Sequence, residues 1–456
     1  MKRTPTLKVV VCAISIALLP VAISTSAAAV PSGPVESPDT VLQWDEIAAS
    51  TVVKSGAFQN EGLIYMAYVS AAVYNAVASI EGHAKPFGPK VRARRDASVN
   101  AAVVEAAYQT LSYYFPAPRA AGSPDLDALH SAALAALPAD ASTTDGIAVG
   151  LQAANDIIAK RTLDGRQTPI GVTSSFPLAV PDAGVWRRTP PAFAAPQTPW
   201  VGDVQPFILR RPDQFLPPPP PSLSSTKWVE AFDQIKSMGD AASTTRTQEQ
   251  TNIARFWTAN VILQYNQALS DLATSHGLGL VDTTRLMAMV NIVGADAQIS
   301  VMNAKYHYLF WRPVTAIDPT AVTSDGLGPI PGFDDGNPAT LEATGWRPLL
   351  TTPNHPEYPA AHGSLTSAMA EVFSEILHTR RINIDIHGFD PTGPAGNLNS
   401  VRHFDTTDDL RNEIINARLW GGVHYTFSSV AGVNLGRRVA KYDLHHAFEG
   451  SEDDDS

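Results

Sequence analysis

Cysteine is all but missing: Cys12 is the single example in 456 residues. It lies in an N-terminal stretch where Lys2, Arg3 and Lys8 accompany the apolar run 9–23 and the small-residue site Ala27-Ala28-Ala29. That order reads as an export signal over residues 1–29, cleaved to give a secreted, extracellular protein. Pro20 and Ser24-Thr25-Ser26 shorten the run and argue against an uncleaved helix, so no membrane anchor is expected after cleavage. Cleavage removes Cys12, which excludes disulfides, thiol nucleophiles and thiolate ligands and leaves stability to the core. It also removes three cations, taking the net charge from -11 to -14 (-11 - 3). Basic residues are outnumbered throughout, 33 Lys+Arg against 44 Asp+Glu, with no basic run beyond the signal. A nucleic-acid partner or an anionic membrane surface needs a concentrated basic face, so neither is expected. Charge of either sign is scarce at 17% against 44% apolar residues, the balance of a buried globular chain. Runs of alternating strands, a repeat of fixed period and a glycine-rich phosphate loop are absent as well.

What is present is helical periodicity. Apolar residues at three-to-four spacing predict helices over 41–55, with Asp39 and Thr40 as polar caps, and over 61–80, with Asn60. Ala-rich stretches at 98–114, 125–137 and 143–162 continue the pattern. Residues 163–223 break it with repeated prolines ending in the run 217–221, and read as extended coil, laid over a surface or acting as a stiff spacer. Helical signals resume at Ser225 and at 247–275, 282–311 with Asp282 as N-cap, 362–379, 406–420 and 428–448. The expected architecture is all-α packed bundles: an N-terminal half (30–223), a C-terminal half (224–448) and an acidic disordered tail (449–456).

Three segments of the C-terminal half carry chemistry. In Ala304-Lys305-Tyr306-His307-Tyr308-Leu309-Phe310-Trp311-Arg312-Pro313, Arg312 lies seven positions after Lys305, close to two helical turns. The spacing predicts two cations on one helix face, needing an anion or carboxylate between them; cations reaching solvent are the alternative. In Pro359-Ala360-Ala361-His362-Gly363-Ser364, a proline-braced turn presents the backbone N–H groups of about Ala361 to Gly363 at a helix start, where oxyanions bind. Alone, His362 is better explained as a helix-capping or structural histidine. In Arg418-Leu419-Trp420-Gly421-Gly422-Val423-His424, the glycines permit a turn that directs Arg418 and His424 toward a common point. A solvated arginine and a core histidine would explain that segment singly.

Taken together, the order Lys-x6-Arg-Pro, Pro-x-x-His and Arg-x5-His resembles the three-part signature of vanadium haloperoxidases and type-2 phosphatidic acid phosphatases. The Ala304–Ile317 and Glu357–Gly363 stretches and the early Trp44-Asp45-Glu46-Ile47 resemble secreted bacterial members of the haloperoxidase-related group. The resemblance implies vanadate as cofactor, bound axially by His424, or a phosphate ester attacked by His424 with no cofactor. It implies His362 as acid/base residue, Lys305, Arg312 and Arg418 as cations on the oxyanion, and the Ala361 N–H as a donor. Two departures stand out. A serine of the family pattern is Ala360 here, removing a hydroxyl donor, and an acidic residue four positions after the metal-binding histidine is Ser428. Asp405, Asp408 and Asp409 lie upstream as acids that could substitute. His355, seven positions before His362, matches a position where the resemblance implies a histidine in bromide-oxidising members; a surface loop histidine is the alternative.

Two activities follow from the resemblance. One is a peroxidase using hydrogen peroxide to oxidise a halide, bromide favoured, or an organic nucleophile; the other is a secreted acid phosphatase with a phosphohistidine intermediate. A non-catalytic oxyanion-binding relative is the third reading, on account of Ala360 and Ser428.

Overall fold

The computed structural model describes residues 36–82, 86–87, 90–167, 182–322, 335–389 and 398–448. The expected export signal (1–29), the expected disordered tail (449–456) and coil residues 168–181 lie outside them.

The chain is mostly helical, as its periodicity predicts. The N-terminal helices are α1 (Pro38–Lys54), α2 (Gln59–Glu81), α3 (Val99–Tyr114), α4 (Leu126–Ala135) and α5 (Ala141–Arg161). Ser98, Asp125 and Asp140 cap α3, α4 and α5, each side chain accepting a first-turn N–H. The first two helices start earlier than predicted: Ser37 caps α1, and α2 begins after Phe58 with no side-chain cap. Apart from Glu61, α2 is buried from Asn60 to Ile80, which its nearly uniform apolar sequence requires of a central core helix.

The second half contributes α6 (Thr226–Met238), α7 (Gln248–Phe256), α8 (Val261–Ser275), α9 (Leu280–Ala288), α10 (Gly294–Tyr308) and α11 (Pro313–Ile317). After them come α12 (Ala361–Ile376), α13 (Thr407–Trp420) and α14 (Thr426–Asp443). The expected helix 247–275 is two, because Asn260 caps a fresh start at α8. A π-helical turn, Met289–Val293, joins α9 to α10; the run begins after Gly279, with Asp282 in its first turn rather than at the cap. A two-stranded antiparallel sheet, β1 (Ile384–Gly388) with β2 (Ser400–Phe404), was not predicted. Its strands are five residues each, too short for alternation to stand out.

One apolar core draws on both halves, from Val41 and Trp44 through α2 to Met369, Phe373 and Phe448. A smaller aromatic cluster of Trp228, Phe232, Phe310, Trp311, Tyr425 and Phe427 packs beside it. The described part of the Pro-rich coil is fastened to the segments bearing the motifs. Trp186 N–H donates to Leu309 O, Trp311 N–H to Gly184 O and Gln197 N–H to Asn354 O. Tyr308 and Tyr358 hydroxyls donate to the carbonyls of Pro217 and Pro218.

Candidate oxyanion site

Lys305 sits in the last turn of α10, but that helix stops at Tyr308, not 311. Leu309 takes a left-handed conformation (φ 52°), so Lys305 and Arg312 do not share a helix face. Arg312 is extended (φ -82°, ψ 154°) at the start of α11. The two cations converge because both grip one stretch of backbone. Lys305 Nζ donates to Pro356 O and Glu357 O, each at 2.9 Å, and Arg312 Nε donates to His355 O at 3.0 Å.

His362 lies in the first turn of α12, whose N-cap is Ala360 with no side-chain hydrogen bond. The N–H groups of Ala361, His362 and Gly363 are therefore the free donors of a helix start, as the proline-braced turn predicts. Arg418 lies in the last turn of α13, and the chain reverses through Gly421-Gly422 to His424. Gly422 has φ 73°, and a Cβ there would stand 2.4 Å from Gly239 O, so the reversal needs glycine.

The described residues bring Lys305, Arg312, His355, His362, Arg418 and His424 into one locus, in which all but the half-buried His362 are buried. Arg312 Nη1 donates to Val423 O at 2.8 Å and to His424 Nε2 at 3.3 Å, and Arg312 Nη2 donates to His355 Nδ1 at 3.0 Å. His355 is not a surface histidine: it is buried, with the Phe58 ring 6.4 Å away.

Sequence reasoning missed Glu357. Its Oε1 faces His424 Nδ1 at 2.8 Å and accepts the Tyr425 N–H at 3.0 Å, in full burial. Since guanidinium nitrogens only donate, His424 Nε2 must be the unprotonated nitrogen and Nδ1 carries the proton toward Glu357. The tautomer thus leaves a lone pair on Nε2. Burial pushes the Glu357 carboxyl up to about 7, against the pull of Arg312 and Lys305. The carboxylates thought able to replace a family acid at position 428 do not: Asp408 pairs with exposed Arg380 and with Arg411, Asp409 caps α13, and Asp405 is solvent-exposed near His403. They precede or open α13, whereas Arg418 is in its last turn. Only the position of Glu357 between proline-braced motif residues hinted at its part.

Burial and mutual repulsion dominate the electrostatics. Burial first, then Arg312 and Arg418, holds Lys305 well below its ordinary range. Burial also lowers Arg312 to about 10 and Arg418 to about 9. The three histidines are held well below their ordinary range by removal from water and by neighbouring cations, so each is neutral.

Residues 285–451 match the family model described as the VCPO second helical-bundle domain. Over 295 residues the chain is 25% identical to the vanadium chloroperoxidase of Curvularia inaequalis. That match takes in 52% of this chain and 47% of the relative, so the chain spans about half the length of the curated relative it matches. A bacterial vanadium-dependent iodoperoxidase superposes with a TM-score of 0.74 at 20% identity, covering 92% of this chain and 99% of that one. A bacterial vanadium-dependent chloroperoxidase in its holo form gives 0.64 at 17% identity, covering 88% and 96%. This chain has the vanadium-haloperoxidase fold.

Within that fold, the two departures are supported in different ways. Ala360 is fully buried and its N–H donates to Ser428 O at 3.1 Å, so the turn keeps its backbone brace without a hydroxyl. Ser428 Oγ donates to Glu357 O at 3.4 Å, which makes position 428 a brace for the turn. The donor set fits a tetrahedral oxyanion such as vanadate. Three buried cations meet one carboxylate, and Arg418 Nε is buried without a protein acceptor among the described residues. Uncompensated buried charge of this kind is costly unless an anion offsets it.

Proposed function

We propose that this protein is an exported vanadate-dependent peroxidase that uses hydrogen peroxide to oxidise a halide, bromide favoured, or an organic nucleophile. The observation that carries this reading is the His424 tautomer: with Nδ1 turned to Glu357, Nε2 keeps its lone pair, buried amid three cations and met by an Arg312 N–H at 3.3 Å. His424 Nε2 would hold vanadium, while Lys305, Arg312, Arg418 and the first N–H groups of α12 would hold its oxygens. Vanadate supplies a Lewis-acidic centre that activates peroxide toward nucleophiles. His362, held neutral by burial and by the neighbouring cations, accepts the proton that peroxide releases on entry. Burial first, and then Arg312 and Arg418, lower Lys305; an anion among the cations would act against both by favouring the ammonium, which has a further N–H beyond the two held by the 356–357 carbonyls. Support for bromide comes from His355, a second neutral imidazole held against Arg312.

The test is bromination of a cyclic dione by hydrogen peroxide with and without orthovanadate, beside hydrolysis of an aryl phosphate. Vanadate-dependent bromination that His424→Ala abolishes is the expected result. Phosphate release that vanadate inhibits would instead assign His424 Nε2 as the nucleophile of an acid phosphatase. No turnover in either, with no thermal shift on adding vanadate, would leave a non-catalytic relative.

A further inference from the structure

Beside the oxyanion site, but not part of it, a groove of about 440 Å3 opens between the proline run and α14. Its walls include Phe215, Pro217 to Pro219, Tyr358, Phe427 and Val430, and Lys227 and Arg438 stand at its edges. Its size is that of a small-molecule site.

The chemistry of the walls restricts what it can hold. Prolines have no N–H, and the carbonyls of Pro217 and Pro218 already accept from the Tyr308 and Tyr358 hydroxyls. The proline wall therefore offers pyrrolidine rings rather than hydrogen bonds, and Tyr358 offers its ring. Val430 is 41% exposed, an apolar lip without a packing partner large enough to cover it. Both cations are exposed and neither has a carboxylate partner among the described residues; Arg438 lies over the Phe215 ring at 4.7 Å. The groove continues past Phe427, Val430 and Lys227 onto α6, where Ala231 is flanked by the polar Glu230 and Gln234, so the anion-attracting end is the one toward Arg438. On a chain with net charge -11, two cations in a groove that sets a proline and aromatic wall beside Ser222, Ser225 and Asn434 are complementary to an anionic head on a ring-like body.

We infer that this groove binds a small aromatic carboxylate, its ring between the proline run and Phe427 and its carboxylate toward Lys227 and Arg438. The inner wall adjoins the cage scaffold: Tyr358 follows Glu357, and Phe427 stacks on Tyr425 with ring centroids 5.2 Å apart. The ligand sits behind the cage and does not need vanadate.

Calorimetric titration of the full-length protein with 2-naphthoate tests this. Binding in the micromolar to low-millimolar range is expected, unchanged by saturating orthovanadate and by His424→Ala. Arg438→Glu and Lys227→Glu, both on the surface and outside the cage, should each weaken it by tenfold or more, and Val430→Glu should remove it. 2-Naphthalenemethanol, the same ring without the charge, should bind at least tenfold more weakly. Equal binding of acid and alcohol would overturn the anionic class. Binding lost on adding vanadate or in His424→Ala would place the ligand in the cage and overturn the groove, as would no binding at millimolar ligand. All of these outcomes are readable whether or not the protein proves to be a peroxidase.

Discussion

At the scale of single residues, the site is built by division of labour between charge and tautomer. Glu357 fixes which nitrogen of His424 is free, a duty that requires an acceptor at Nδ1 and is strengthened by a negative charge. Glu357→Gln keeps an acceptor and loses the charge, so vanadate affinity should fall by about 10- to 100-fold with the fold intact. Isothermal titration with orthovanadate measures this; affinity equal to wild type would mean that the carboxylate acts only as a packing group. Ala360→Ser makes a second test, because a hydroxyl at this N-cap has two uses. It should cap α12 and raise stability to denaturant by about 0.5–2 kcal/mol without vanadate. It should also tighten vanadate, by up to the ~1–3 kcal/mol that one donor contributes. A gain in stability with unchanged vanadate affinity would show that residue 360 does not face the anion.

At the scale of elements, the position of the α12 N-terminus depends on how closely α14 can approach it. A Cβ at Gly436 would lie 1.8 Å from Ser364 O, and one at Gly432 would lie 2.2 Å from Ala360 O. Both obstacles are backbone, which cannot rotate away. Gly436→Ala should therefore force the helices apart and cost about 1–3 kcal/mol, seen as a lower midpoint in urea unfolding with little change in slope. The same element scale explains what periodicity could convey. Helix existence was legible because apolar spacing is local, whereas the caps expected at Asp39 and Thr40, Asn60 and Asp282 gave way to Ser37, Phe58 and Gly279. The end of α10 was not legible, because Leu309 is a residue type that ordinarily continues a helix and takes its left-handed conformation in a tertiary setting. There Trp186 N–H bonds to its carbonyl.

At the scale of the whole molecule, a buried polar link joins distant helices. Asn291, on the π-helical turn, donates to Asp45 of α1 at 3.3 Å and to Asn266 of α8 at 2.9 Å. Burial raises the Asp45 carboxyl from 3.8 to about 8, outweighing the Asn291 hydrogen bond. The folded state therefore binds this proton more tightly than the unfolded chain. Its stabilisation is complete below pH 4 and is lost as pH rises toward 8, each tenfold difference in proton affinity between the two states being equivalent to ~1.4 kcal/mol. Thermal unfolding followed from pH 4 to 8 should show this decline, and Asp45→Asn should flatten it. An unchanged slope in the variant would exclude Asp45 as the titrating group.

By itself the sequence determined the helical class and the reliance on a core without disulfides, and the resemblance carried by its three short motifs singled out Lys305, Arg312, His362, Arg418 and His424. These properties depend on composition, on spacing within a turn or two, and on short motifs. The tertiary structure decided the rest: that Lys305 and Arg312 meet across a helix break, that His355 is drawn inward, and that Glu357 is the carboxylate behind His424. Those contacts join residues 43 to 112 positions apart. Periodicity specifies which face of a helix is apolar, and it carries no information about which distant backbone that face will meet.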